Sequence, residues 1–248
     1  MKILGVIPAR YASTRFPGKP LVVIEGKSMI QRVFEQALLC KELDQVIVAT
    51  DNEMILKHVE SFGGSAMMTS EKHRSGTERC AEVADRLINA GKPYDVVINI
   101  QGDEPYIDPS QIAQVASCFR DPGAVIATLI KKITYAAELT DPNVVKVVTD
   151  WKGKALYFSR AAIPFTRGKE AADWIGFTSY YKHLGIYGYQ TKILHQLVTL
   201  PVSPLESAES LEQLRWLGNG FQIQTQITDI ESFSVDVPSD LLKITNRS

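Results

Sequence analysis

Short apolar runs alternate with helical stretches along the first half of this chain, and that alternation limits the folds open to it. Ile3 to Ile7, Gln45 to Thr50 (QVIVAT) and Asp95 to Ile100 (DVVINI) read as strands buried on both faces. Between and after them, helical spacing covers Ser28 to Leu39, Asn52 to Phe62, Thr77 to Ala90 and Pro109 to Phe119. Ser65 to Met68 and Ala124 to Ile130 add two more strands, and Gly63-Gly64 and Gly91 close two of the helices. Strands that alternate with helices this long imply an α/β fold, a mostly parallel twisted sheet with helices on both faces. Right-handed crossovers then place the C-terminal ends of the strands along one edge, where such sheets bind ligands. Three loops leave that edge: Ala9 to Pro20, the segment from Asp51, and Gln101 to Pro105.

The second half reads less regularly. Val144 to Thr149, Ala155 to Ser159, Leu184 to Tyr189 and Gln222 to Ile227 are β-rich, whereas 160–182 reads as a long loop. Ser207 to Leu217 and Pro238 to Thr245 are expected helices, and Glu206 and Glu209 read as charges at a helix start. The expected organisation is one domain over 1–248, with a smaller β-rich insertion at roughly 132–190.

At 248 residues the chain carries 27 Lys and Arg against 28 Asp and Glu. A generally basic nucleic-acid surface is therefore excluded, and any anion site must be local. Cys40, Cys80 and Cys118 are scattered and form no CxxC pair, which points to reduced thiols. Pro8 and Arg10 interrupt the N-terminal apolar run, and no run approaches the roughly 18 residues of a membrane span. A soluble, cytoplasmic protein is expected.

The local anion site has an obvious candidate. Residues 8 to 20, PARYASTRFPGKP, place Arg10, Arg15 and Lys19 in one loop stiffened by Pro17 and Pro20 and turned by Gly18. Two guanidinium forks, a point charge and backbone amides can grip a polyphosphate. Neither GxxxxGK[ST] nor GxGxxG is present.

PARYASTRFPGKPL, HRSGTER, QGDEP, LYFSR, HLGIYGY and SPLESAESLEQLR, in that order, resemble the 3-deoxy-D-manno-octulosonate (Kdo) cytidylyltransferases, or CMP-Kdo synthetases. The resemblance implies transfer of a cytidylyl group from CTP to Kdo with Mg²⁺ as cofactor. It implies that Ala9, Arg10, Arg15 and Lys19, with Ser75, Gly76, Thr77 and Arg79, hold the nucleotide. It makes Asp103 a metal ligand with Asp236 as its distant partner, and counts Arg10, Arg15, Lys19 and Asp103 as catalytic. Gln101, Arg160, His183, Tyr187, Glu212 and Gln213 become the sugar pocket; a guanidinium suits the sugar's carboxylate, and the other groups suit its hydroxyls. It further implies a homodimer that serves lipopolysaccharide synthesis in a Gram-negative cell, with no nucleic-acid or membrane partner. The aromatics Trp174, Phe177, Tyr180 and Tyr181 read as exposed and would suit an interface or a lid.

Rival readings remain. An 8-amino-8-deoxy sugar fits the same motifs. A sialate enzyme would want a different first loop, and a glycosyltransferase would want a DxD pair that QGDEP lacks. A non-catalytic sensor would need neither the metal carboxylates nor the triphosphate clamp.

Overall fold

The protein is described from a computed structural model that covers residues 1–12 and 16–241. Its elements run β1 (Ile3–Ala9), β2 (Val23–Ile24), β3 (Lys27–Ser28), α1 (Met29–Leu38), β4 (Gln45–Thr50), α2 (Glu53–Ser61), β5 (Ala66–Met68), α3 (Gly76–Asn89), β6 (Val96–Asn99) and α4 (Pro109–Cys118). There follow β7 (Ile126–Lys132), α5 (Ala136–Thr140), β8 (Lys146–Thr149), β9 (Ala155–Ser159), α6 (Trp174–Phe177), β10 (Tyr181–Gln190), α7 (Thr191–Leu197), α8 (Pro204–Glu209), α9 (Gln213–Gly218) and β11 (Ile223–Ile227).

Two apolar cores explain the unbroken hydrophobic runs. Ile3 and Ile7 of β1 face one core with α1, α2 and α4, while Leu4 and Val6 face the other with α3 and α7. The two-residue period of a strand is hidden because both faces are covered. Helix starts are fixed by side-chain caps: Ser28 accepts from the Gln31 amide, Asn52 from Met54, Ser75 from Glu78, and Asp108 forms a capping box with Gln111.

Among the described residues the main sheet has nine strands. Its spine runs β11-β7-β10-β6-β1-β4-β5, with β8 paired to β10 and β9 to β8. Strands β6, β1, β4 and β5 are mutually parallel, and β11 is parallel to β7. Strand β10 runs antiparallel between β6 and β7, with a register shift between Leu184 and Tyr187. The sheet is therefore mixed but mostly parallel.

Three expectations need correction. The helix expected over Ser207 to Leu217 is two helices, broken where Ser210 takes a left-handed conformation with φ 52°. Trp174 and Tyr180 are not surface aromatics: their rings stack in a small core with Ile133 and Leu139, although Phe177 is exposed. Glu209 closes α8 instead of opening a helix, whereas Glu206 does sit in its first turn, in a capping box with Ser203. Most of the helix expected at Pro238 to Thr245 lies outside the described residues.

The loop after β6 crosses the end of β1 at Gly102. A Cβ there would lie 2.5 Å from the Pro8 carbonyl oxygen, and backbone cannot yield as a flexible side chain can. Gly102→Ala is expected to destabilise the protein by about 2 kcal/mol. A urea melt with an unchanged midpoint would contradict that contact.

Candidate nucleotide site at the strand ends

Strands β1 and β6 lie side by side, and the loops that follow them enclose a cavity of about 260 Å³ with the loop after β5, the start of α3 and Asp236. Of the residues singled out from sequence, Ala9, Arg10, Lys19, Ser75, Gly76, Arg79, Gln101, Asp103 and Asp236 all line it. Arg15 lies outside the described residues. Arg10, Lys19, Arg74 and Arg79 bring four cations against two carboxylates, although the whole chain is nearly neutral.

Lys19 is the centre of this charge pattern. Gly18, with φ 70°, turns the chain and donates its amide to Tyr11 O, which starts the short helical turn Lys19–Leu21. The Lys19 ammonium then reaches across the cavity. It donates to Asp103 Oδ2 at 2.7 Å and to Val235 O at 2.8 Å, and lies 3.9 Å from Asp236 Oδ1. Asp103 and Asp236 are 133 positions apart in sequence, yet both face one cation.

The α3 start forms a second wall. Gly76 lets the helix approach closely: a Cβ there would meet the Asn99 side chain at 3.1 Å and Pro8 at 3.2 Å. Arg79 is buried, donates to Thr69 Oγ1 at 2.7 Å and pairs with Asp51. Asp51 carried no role in the sequence reading beyond opening an edge loop. Its place one residue past a parallel strand was the available signal. Thr77 departs from its expected neighbours, since its hydroxyl turns away from the cavity and donates to Glu212 Oε2 at 2.7 Å.

Glu104, next to Asp103, is buried, and burial pushes its carboxyl up to about 7. The nearby Asp103 charge pushes the same way, and a hydrogen bond from Ser232 opposes it.

The sugar candidates lie mostly outside this cavity. Gln101 alone of them lines the cavity, and its amide donates to Gly185 O at 2.6 Å. Glu212 accepts from Ser75 Oγ and Thr77 Oγ1, which ties the α8–α9 hairpin to the start of α3. Burial raises its carboxyl above the ordinary range. Gln213 is buried beside it. Arg160 donates from Nε to Glu209 O and from Nη1 to Pro142 O, and the Glu209 carboxylate accepts the Arg160 amide. Tyr187 packs edge-on to Trp216, with ring centroids 5.2 Å apart.

His183 lies between Phe158 and Tyr187, with Nε2 3.2 Å from Thr128 Oγ1. Burial pushes its imidazole down to about 3, so the folded protein holds it neutral. An unfolded imidazole titrates near 6.5. Between these values the unfolded state binds the extra proton, so stability is lost as pH falls through the window, by up to about 1.4 kcal/mol per pH unit. His183→Gln should flatten the fall in unfolding midpoint between about pH 6.5 and pH 4. Parallel slopes for both proteins would contradict a buried neutral imidazole.

The family model described as cytidylyltransferase matches residues 4–227. The chain belongs to the cytidylyltransferase family. Within that family, the 3-deoxy-manno-octulosonate cytidylyltransferase of Bacteroides thetaiotaomicron is 52% identical over 244 residues, covering 97% of this chain and 96% of that protein. The protein of the same description from Thermodesulfovibrio yellowstonii is 50% identical over 244 residues, covering 97% and 96%. A solved structure of CMP:2-keto-3-deoxy-manno-octonic acid synthetase complexed with CTP superposes with a TM-score of 0.91 at 42% identity, covering 99% of this chain and 98% of that one. A putative glucose-1-phosphate thymidylyltransferase from Bacillus anthracis, at 16% identity and TM-score 0.65, shares the fold of this cytidylyltransferase family member.

Proposed function

We propose that this protein joins CTP and Kdo to give CMP-Kdo and diphosphate. The observation that carries the reading is the Lys19 ammonium held between Asp103 and Asp236 in a cation-rich cavity. The names of relatives that match nearly the full chain supply the nucleotide and the sugar.

In the proposed reaction the anomeric hydroxyl oxygen attacks the α-phosphorus. A new O–P bond forms as the bond to the β-phosphate bridging oxygen breaks, diphosphate takes the electron pair, and the hydroxyl proton is lost. Arg10, Arg15 and Lys19 would hold the triphosphate and neutralise charge on the leaving diphosphate. Ala9, Ser75, Gly76, Thr77 and Arg79 would hold the nucleoside, Ala9, Ser75, Gly76 and Arg79 at the cavity wall and Thr77 from behind it through Glu212. Gln101, Arg160, His183, Tyr187, Glu212 and Gln213 would orient the sugar, so that attack becomes effectively unimolecular.

Asp103 and Asp236 fit a hard divalent cation, because Mg²⁺ takes one or two carboxylates and completes its shell with water and phosphate oxygens. When bound, Mg²⁺ would supply charge neutralisation at the phosphates and acidify the attacking hydroxyl. Among the described residues no third carboxylate, His or Cys joins this pair, which leaves room for the nucleotide's own oxygens.

The reading extends to a cytoplasmic homodimer that serves lipopolysaccharide synthesis. Among the described residues no helix is long and apolar enough to cross a membrane. The segment 132–190 would carry sugar contacts and the dimer face, where exposed Phe165 and Phe177 offer apolar surface. A side-by-side diphosphate-release assay with Kdo, 8-amino-8-deoxy-Kdo and N-acetylneuraminate tests the substrate. Kdo is expected to be used best. Preference for the amino sugar would move the substrate, and silence with all three would overturn the reading.

A further inference from the structure

Among the described residues Lys146 is the least exposed charged side chain. It opens β8 with a relative exposure of 0%, and no step above uses it. An ammonium has three N–H donors, and here each meets a main-chain carbonyl: Asp141 O at 2.8 Å, Val144 O at 2.6 Å and Arg160 O at 2.5 Å. Burying a cation is among the costliest things a fold can do, and a Met would fill the same space without that cost. What the charge achieves is geometric. It fastens three carbonyls that belong to two separate segments.

Both segments converge on Arg160. One of the carbonyls is Arg160's own, which fixes its main chain. The other two belong to the 141–144 turn, whose Pro142 O accepts from Arg160 Nη1 at 2.9 Å. The far side of the guanidinium is held by Glu209 O, which accepts from Nε at 2.7 Å. Lys146 thus anchors the base of the Arg160 side chain and the shelf under its guanidinium. Register reinforces the arrangement, since Lys146 pairs with Ser159 on one side and Lys182 of β10 on the other.

We propose that Lys146 is a positioning residue that aims the Arg160 guanidinium at the carboxylate of the 2-keto acid sugar. This rests on Arg160 being a sugar contact. Removing the ammonium would leave three carbonyls unpaired, release the 141–144 turn and let the guanidinium leave its shelf. Among the described residues no hydrogen bond joins Lys146 or Arg160 directly to a residue lining the cavity at the strand ends, so the defect should fall on one substrate.

The test compares Lys146→Met, Arg160→Ala and the double variant. Lys146→Met is expected to raise KM for Kdo at least about tenfold, a lost charge-assisted contact, while the dissociation constant for CTP stays within about twofold. The double variant should be no worse for Kdo than Arg160→Ala alone, because Lys146 acts through Arg160. If Lys146→Met does not fold, Lys146→Gln retains an amide donor for one or two of the carbonyls, and the same comparison is made with it. Equal losses for both substrates, or additive effects in the double variant, overturn the proposal for Lys146 alone. An Arg160→Ala protein with unchanged KM for Kdo overturns the sugar role of Arg160 and the proposal with it.

Discussion

Asp103→Asn is expected to keep the fold and most of the affinity for CTP while losing about 10³-fold in turnover, roughly 4 kcal/mol of transition-state stabilisation. The amide retains an oxygen that can accept from Lys19, so the 2.7 Å contact survives in weakened form. What disappears is one of the two negative charges that face the same point in the cavity. Two carboxylates suffice for a divalent cation that also takes phosphate oxygens; one carboxylate binds it weakly. Binding and chemistry should therefore separate in this variant. Steady-state kinetics beside a thermal melt makes the comparison, and wild-type turnover with a normal melt would remove Asp103 from the mechanism.

Lys19→Met should act in the opposite direction on the cation and in the same direction on catalysis. In the structure the ammonium is the counter-ion of both carboxylates. Two like charges brought together repel. With the ammonium gone, that repulsion is relieved best by an external cation. Mn²⁺ binding without nucleotide, read by paramagnetic titration, should strengthen about tenfold or more. KM for CTP should rise by about 10- to 100-fold, because a charge-assisted contact to phosphate contributes about 1.5–3 kcal/mol. Unchanged Mn²⁺ affinity would show that Lys19 does not shield the pair. Unchanged KM would show that it does not reach the triphosphate.

The parts of the fold legible in sequence were those whose cause is local. Buried runs such as QVIVAT mark strands covered on both faces, and Ser28, Asn52, Ser75 and Asp108 announce helix starts through their caps. What failed to show depends on distant partners. Nothing near Tyr181–Gln190 says that this strand will run antiparallel between two strands whose paired residues lie 49 to 94 positions earlier. The amphipathic pattern from Ser207 to Leu217 continues through Ser210, so the break there is invisible without the positive φ. Trp174 and Tyr180 read as surface aromatics because Ile133 and Leu139, which cover them, come from another part of the chain.

The candidate site divides along the same line. Loops at parallel strand ends must converge, so Arg10, Lys19, Gln101 and Asp103 could be grouped from the βα pattern together with the motifs that resemble the family. Asp236 and Arg79 were added by resemblance, and the fold places both in the same cavity. Thr77 turned inward toward Glu212, because a hydroxyl two residues past the cap faces the hairpin and not the loop. Asp51 and Lys146 went unassigned since each has its role only through a side chain or carbonyl remote in sequence.

A cavity that moves a cytidylyl group must carry the α-phosphate from CTP to the sugar. CTP labelled with ³²P at the α-phosphate, incubated with Kdo, Mg²⁺ and the protein, tests it most directly. Label is expected in a CMP–sugar product, with one diphosphate released per product. Label that remains in CTP, or passes to CMP without joining the sugar, would contradict it.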